Sequence, residues 1–156
     1  MHQRLTVLQW NAASLLPKAE FKQFILSRPV DVACVQETWL TPDLRYTLNG
    51  YNIHRRDRPG QRRGGVATLV HESFTSVRLQ DLPDAEILAI KISTKENDIT
   101  IVNIYNPPLT EIPQENINYI FSFPNSIILG DFNSKCISWD PPKTITTVPG
   151  SWSGLT

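Results

Sequence analysis

The sequence has only two cysteines, Cys34 and Cys136, in 156 residues. That excludes a small disulfide-stapled scaffold. With no histidine near either cysteine it also excludes a zinc site of the usual spacing. A single Cys34–Cys136 bridge is the one disulfide the composition allows, but nothing else marks a secreted chain, so Cys34 reads as a small buried side chain in an apolar run. No stretch approaches the ~18 apolar residues needed to cross a bilayer, so a membrane partner is not expected. The first ten residues hold one short apolar stretch and no small-residue cleavage site, which argues against a secretory leader and for an intracellular protein, nuclear or cytoplasmic. Charge of one sign is lacking too, with 15 basic against 15 acidic side chains. A protein that merely coats nucleic acid is usually strongly basic. An enzyme that touches nucleic acid through one local patch need not be. Histidine is scarce: His2, His54 and His71 are all there is, and no Ser–His pair for acyl transfer stands out.

What is present is ordinary globular material, 40% hydrophobic, without repeats or low-complexity tracts. Residues 5–10 read as a strand and 17–27 as an amphipathic helix with Phe21, Phe24 and Ile25 at helical spacing, opened by Pro17 and closed by Pro29. Residues 30–36 form a nearly continuous apolar run, the pattern of a strand covered on both faces. Strands are then expected at 51–55, 66–71, 74–79, 86–93 and 99–105, a helix at 113–121, and a buried strand at 126–129. The alternation predicts an α/β fold with antiparallel strands in its middle. Residues 141–156 show little periodicity and read as a tail.

Polar groups recur where apolar strands end. Asn11 follows the first strand and Glu37 the second; Tyr105 and Asn106 follow residues 99–104; Asp131 and Asn133 follow residues 126–129. In open α/β sheets ligands gather beyond the carboxyl ends of the strands, so these groups converge if their strands are neighbours. Each alone is also what a turn or a strand end would carry. Together, two carboxylates, asparagine amides and a phenol suit a hard oxygen-seeking cation and a phosphate ester.

Four segments occur in order: Leu8-Gln9-Trp10-Asn11-Ala12, Gln36-Glu37-Thr38-Trp39-Leu40, Asn103-Ile104-Tyr105-Asn106-Pro107-Pro108 and Leu129-Gly130-Asp131-Phe132-Asn133. Together they resemble the endonuclease/exonuclease/phosphatase superfamily. Gly50-Tyr51-Asn52, Arg56-Asp57-Arg58 and the run from Gly64 to Val70 resemble, more narrowly, the apurinic-endonuclease-like domain of non-LTR (LINE-type) retrotransposons. The resemblance covers residues 5–139. It implies a four-layer α/β sandwich, two packed mixed β-sheets flanked by helices, with residues 1–140 as the domain. It implies Mg²⁺, with Mn²⁺ as an alternative, held by Glu37 with Asn11 in support. By the same resemblance Tyr105 contacts the scissile phosphate, Asp131 activates water and Asn133 orients the phosphate. The implied reaction nicks one DNA strand to prime reverse transcription, with DNA as partner and the element's RNA engaged through a reverse-transcriptase region.

The pattern is then broken. The family's further acid after Asp131 and its closing Ser-Asp-His are not found, so the domain is expected to be incomplete in its C-terminal part. Two alternatives therefore stand beside the nuclease: a catalytically inactive remnant, and a phosphatase of the same fold. Finally, Arg55, Arg56, Arg58, Arg62 and Arg63 against Asp57 give one loop a local charge of +4. These five arginines are the candidate contacts to DNA backbone.

Overall fold

The computed structural model describes residues 4–16, 19–60 and 63–133. Its elements run β1 (Val7–Asn11), α1 (Glu20–Leu26), β2 (Val32–Gln36), β3 (Tyr51–Arg56), β4 (Val66–His71), β5 (Thr75–Arg78), β6 (Glu86–Ser93), β7 (Asp98–Tyr105), α2 (Gln114–Ile120) and β8 (Ser126–Asp131). All ten match segments expected from the sequence, β4 and β6 with the expected ends and the other eight with shifted ones. β1 continues through Asn11 because it pairs along its whole length with β2. Its helix begins only at Glu20; Pro17, the expected opener, lies outside the described residues, as do Arg62 and Cys136.

Two four-stranded sheets result, ordered β1-β2-β4-β3 and β5-β6-β7-β8. Each carries one parallel pair, β1 with β2 and β7 with β8, and antiparallel pairs elsewhere. A parallel pair needs a crossover, and α1 and α2 supply one to each sheet. Both helices have seven residues, too few to be stable alone, so packing holds them. Phe21 and Ile25, four apart, are the buried face of α1. Trp10 packs edge-on against Phe21, with ring centroids 5.8 Å apart.

Three apolar clusters separate four layers. Strand alternation sends Ala33 and Val35 of β2 and Ala67 and Leu69 of β4 outward to α1. Ile87, Ala89, Val102 and Ile104 face the opposite way, where Ile120 of α2 covers them. Between the sheets lie Val32, Cys34, Val66, Val70, Leu88, Ile90, Ile92, Ile101, Tyr105 and Leu129. The sandwich implied by the sequence resemblance is therefore the fold.

The middle layer is not wholly apolar. Gln36, Thr68 and Asn103 are fully buried there. Gln36 Nε2 donates to Asn103 Oδ1 at 2.8 Å, joining one sheet to the other. Asn103 Nδ2 donates to the carbonyls of Ala67 at 2.9 Å and Val35 at 3.3 Å. Gln9 Nε2 reaches from β1 to the carbonyl of Gly130 in β8 at 3.1 Å. Buried polar atoms of this kind are tolerated because they are paired.

Two outcomes follow. Asn103→Leu removes the acceptor of Gln36 and the donor of Ala67, and should cost roughly 2–6 kcal/mol, at ~1–3 kcal/mol for each orphaned group; a fall in the urea midpoint at unchanged slope checks it. Burial pushes the Cys34 thiol from 9.0 up to about 12, against a smaller pull from its bond to Thr68. The folded state keeps the proton that the unfolded chain gives up, so this contribution is intact below about pH 9 and fades as pH rises toward 12. Iodoacetamide at pH 8 should spare Cys34 in the native chain and modify it in urea, as read by peptide mapping; modification at equal rates would contradict the burial.

Candidate active site

The carboxyl ends of the two parallel pairs lie at one edge of the sandwich. Asn11 stands beside Gln36 in register, and Tyr105 beside Asp131. Glu37 follows Gln36 directly. The inter-sheet bonds of Gln36 and Gln9 bring the two ends together, which is the convergence that the polar strand ends led us to expect.

Side-chain contacts tie the sheets at this edge. Tyr105 Oη donates to Glu37 Oε1 at 2.6 Å. Asn11 Nδ2 donates to Asp131 Oδ2 at 3.0 Å, while Asn11 Oδ1 accepts the Ala13 amide at 3.2 Å. The other oxygen of Asp131 accepts the Asn133 amide at 3.2 Å. Asn133 Nδ2 donates to the Asn106 carbonyl at 2.9 Å. Asn106 in turn donates to the carbonyls of Thr110 and Phe132, at 2.7 and 3.0 Å. These contacts form two sets, Tyr105 with Glu37 and Asn11 with Asp131 and Asn133, which lie side by side where Tyr105 and Asp131 pair in register. Each carboxylate oxygen named is aimed by a donor, which fixes its direction without neutralising it.

The backbone here is strained. Glu37 has φ of +52°, Trp39 +54°, Asn133 +43°, and Ala13 and Ser14 are also left-handed. Non-glycine residues hold such angles only where surroundings enforce them, and such sites cluster where chemistry is done. The enforcement is visible. Ser14 N–H donates to the Glu37 carbonyl and Leu15 N–H to that of Thr38, while the Thr38 and Trp39 amides bond to the carbonyls of Gly65 and Gly64.

Burial raises the Tyr105 phenol to about 12; the hydrogen bond and charge of Glu37 add to the rise, and Arg58 opposes it. Tyr105 therefore keeps its proton, and donates the hydrogen bond to Glu37, at neutral pH. Among the described residues no three His, Cys, Asp or Glu side chains form a metal-holding cluster. The donors at this edge are Glu37 and amide oxygens. That set suits Mg²⁺, which takes one or two carboxylates and keeps several waters, and suits a thiolate- or imidazole-seeking metal poorly.

The described arginines of the loop do not present one patch. Arg55 is bound to Asp57 at 2.7 Å and to the carbonyls of Leu44 and Thr41. Arg56, the next residue of the strand, donates at 3.5 Å to the carbonyl of Ile87 in the second sheet. Arg63 lies over the Trp39 ring at 5.3 Å. Only Arg58 of the described four reaches Tyr105, its guanidinium 5.6 Å from the ring centre. The polar links Gln9, Gln36 and Asn103 went unassigned in the sequence, while Asn106 was placed at a strand end without a role. The signal available was an amide on the inward face of an otherwise apolar strand.

A fold of two packed mixed sheets with an oxygen-rich edge at paired parallel strands defines a class of hydrolytic nucleases and phosphatases. The model of the Endonuclease/Exonuclease/phosphatase family matches residues 8–152, and the chain belongs to that family. Among solved structures it resembles the endonuclease domain of TRAS1, a telomere-specific non-LTR retrotransposon, with TM-score 0.64 and 23% identity over 84% of this chain and 61% of that one. AP endonuclease LMAP from Leishmania major aligns with TM-score 0.56 and 20% identity over 76% of this chain and 45% of that one. The 3′ phosphatase NExo from Neisseria, bound to product DNA hairpin, aligns with TM-score 0.51 and 19% identity over 65% and 41%. The chain thus spans less than two thirds of each of these three structures.

Gly130 is the residue on which the Asp131 position turns. Its φ is +150°, and a Cβ there would overlap the Ile104 backbone. Gly130→Ala should part β7 from β8 at their carboxyl ends and shift Asp131 away from Asn11. Amide hydrogen exchange should then speed up at Asn106, whose N–H bonds the Asp131 carbonyl at 2.8 Å, with the amides of β3 and β4 unchanged.

Proposed function

We propose that this chain is the magnesium-dependent DNA endonuclease domain of a non-LTR retrotransposon, hydrolysing a phosphodiester to nick target DNA and so prime reverse transcription. The observation that carries the reading is the contact from Tyr105 to Glu37 across the two sheets, with Asp131, the ladder partner of Tyr105, held by Asn11. The likeness to the TRAS1 endonuclease domain favours the retrotransposon source over other members of the family.

Glu37 would hold Mg²⁺, with Asn11 as an amide-oxygen neighbour. When bound, the ion supplies positive charge to a phosphoryl oxygen. The chain's own groups do the rest. Asp131 faces the site with both oxygens directed, and takes a proton from the attacking water as general base. Tyr105 turns its hydroxyl from Glu37 to a phosphate oxygen. Asn133 holds Asp131 through its amide and presents its own amide near the reacting group. Loop arginines add salt-sensitive contacts to DNA backbone.

A phosphatase of the same fold is the second reading, favoured by the alignment with the 3′ phosphatase NExo. One experiment separates the two. Supercoiled plasmid and a hairpin bearing a 3′ phosphate are each incubated with the chain in Mg²⁺ or EDTA, and circular dichroism verifies folding of the same sample. Relaxation of the plasmid, lost in EDTA and reduced about 10²-fold or more in Glu37→Ala and Asp131→Ala, is the expected result. Phosphate release without nicking would replace the endonuclease by the phosphatase. A folded chain inert on both substrates would make it an inactive remnant.

A further inference from the structure

Arg58 is built into the site in a way a solvated loop arginine is not. Its Nε and Nη2 both donate to Glu86 Oε2, at 3.2 and 2.5 Å. The other oxygen of Glu86 accepts the Gly65 amide at 2.5 Å. Glu86 is the cross-strand partner of Tyr105 in the β6–β7 ladder, so the ion pair carries the guanidinium to the Tyr105 ring. Both partners are mostly shielded from water, with side chains 21% and 14% exposed. Gly64, at φ +78°, makes room for it: a Cβ at that position would occupy the place of the guanidinium. The remaining described arginines of the loop are engaged elsewhere, Arg55 on Asp57, Arg56 toward Ile87 and Arg63 over Trp39.

A phosphodiester entering this edge brings negative charge beside Glu37, Glu86 and Asp131. Repulsion of that kind needs a fixed cation close to the phosphoryl oxygens. A guanidinium has five N–H donors in a rigid fork, so it can hold Glu86 and address a phosphate oxygen together. We propose that Arg58 is a catalytic residue that contacts the reacting phosphate beside Tyr105 and stabilises the charge that develops on it, with Glu86 and Gly65 as its positioning partners. This rests on the endonuclease reading and separates Arg58 from the arginines that grip DNA backbone.

The test uses the full chain with two readouts. In the first, ¹⁵N spectra follow the Arg58 Nε–H while the dinucleotide dTpdT is titrated in Mg²⁺, beside the same dinucleotide with a neutral methylphosphonate link. The Arg58 signal should move with the charged dinucleotide and stay still with the neutral one. In the second, Arg58→Gln should lower kcat for nicking about 10²-fold with KM changed less than about threefold, and Arg58→Lys should recover part of the loss. The lysine variant keeps the charge and the Glu86 pairing, so it answers even where the glutamine variant folds poorly. A signal unmoved by dTpdT, or a kcat of wild-type size in either variant, overturns the proposal. A loss confined to KM with a shallower salt dependence overturns it too, and returns Arg58 to backbone binding. A chain that nicks nothing while the Arg58 signal moves would sink the endonuclease reading and leave the phosphate contact standing.

Discussion

The bond from Gln36 to Asn103 holds the rest of the structure to one arrangement. Apolar packing between two sheets is strong but has no direction, so faces can slide at little cost. A paired amide cannot slide. Gln36 is the last residue of β2 and Asn103 lies two before the end of β7. Both are fully buried, and the bond between them is 2.8 Å. Displacement of one sheet by a residue would leave two amides and the Ala67 carbonyl unpaired in the core, at a cost of a few kcal/mol. Glu37 follows the first of these residues and Tyr105 lies one strand step beyond the second. The buried network therefore sets the distance between the halves of the site before any ligand arrives.

The site itself is assembled from ends rather than from one element. Each parallel pair delivers two strand ends side by side, because a crossover helix makes both strands run the same way. Two such pairs facing each other across the sandwich deliver four. Left-handed residues at Glu37, Trp39 and Asn133 then turn the chain sharply at the sheet edge. The cost of these angles is met by the amide ladder that continues past the strands from Ala12 to Leu15. Preorganised donors and acceptors of this sort do not have to reorient when charge develops on a substrate.

Charge at this edge is balanced by the second sheet. Glu37 comes from the first sheet, and Arg58 from the loop that joins β3 to β4 in that same sheet. Glu86 and Tyr105, paired neighbours in the second sheet, take hold of them. The described arginines of this loop are thereby divided by contact: Arg55 closes a local fold with Asp57, and Arg58 lies against Glu86 and Tyr105.

Much was legible in the sequence because periodicity reports burial. The continuous run ending at Gln36 became the fully buried β2, and the strands expected at 86–93 and 99–105 became β6 and β7, with residues buried on both faces. The placing of Asn11, Glu37, Tyr105 and Asp131 at strand ends was readable too, since a polar residue after an apolar run marks where the core stops. What could not be read was which strands adjoin. Pairing joins residues far apart in the chain, such as Gln36 with Asn103 and Asn11 with Asp131, and no local pattern encodes it. The five clustered arginines looked like one patch because they are close in sequence. Arg55 and Arg56, successive residues of a strand, point to opposite faces, and Arg58 and Arg63 reach different partners, so only the tertiary structure decided which of the described four meets Tyr105. By itself the sequence determined the elements, the layers they cover and the oxygen-rich chemistry at their ends. The tertiary structure alone decided the partnerships, because directional bonds between buried amides and across paired strands select one packing from many that bury the same apolar area.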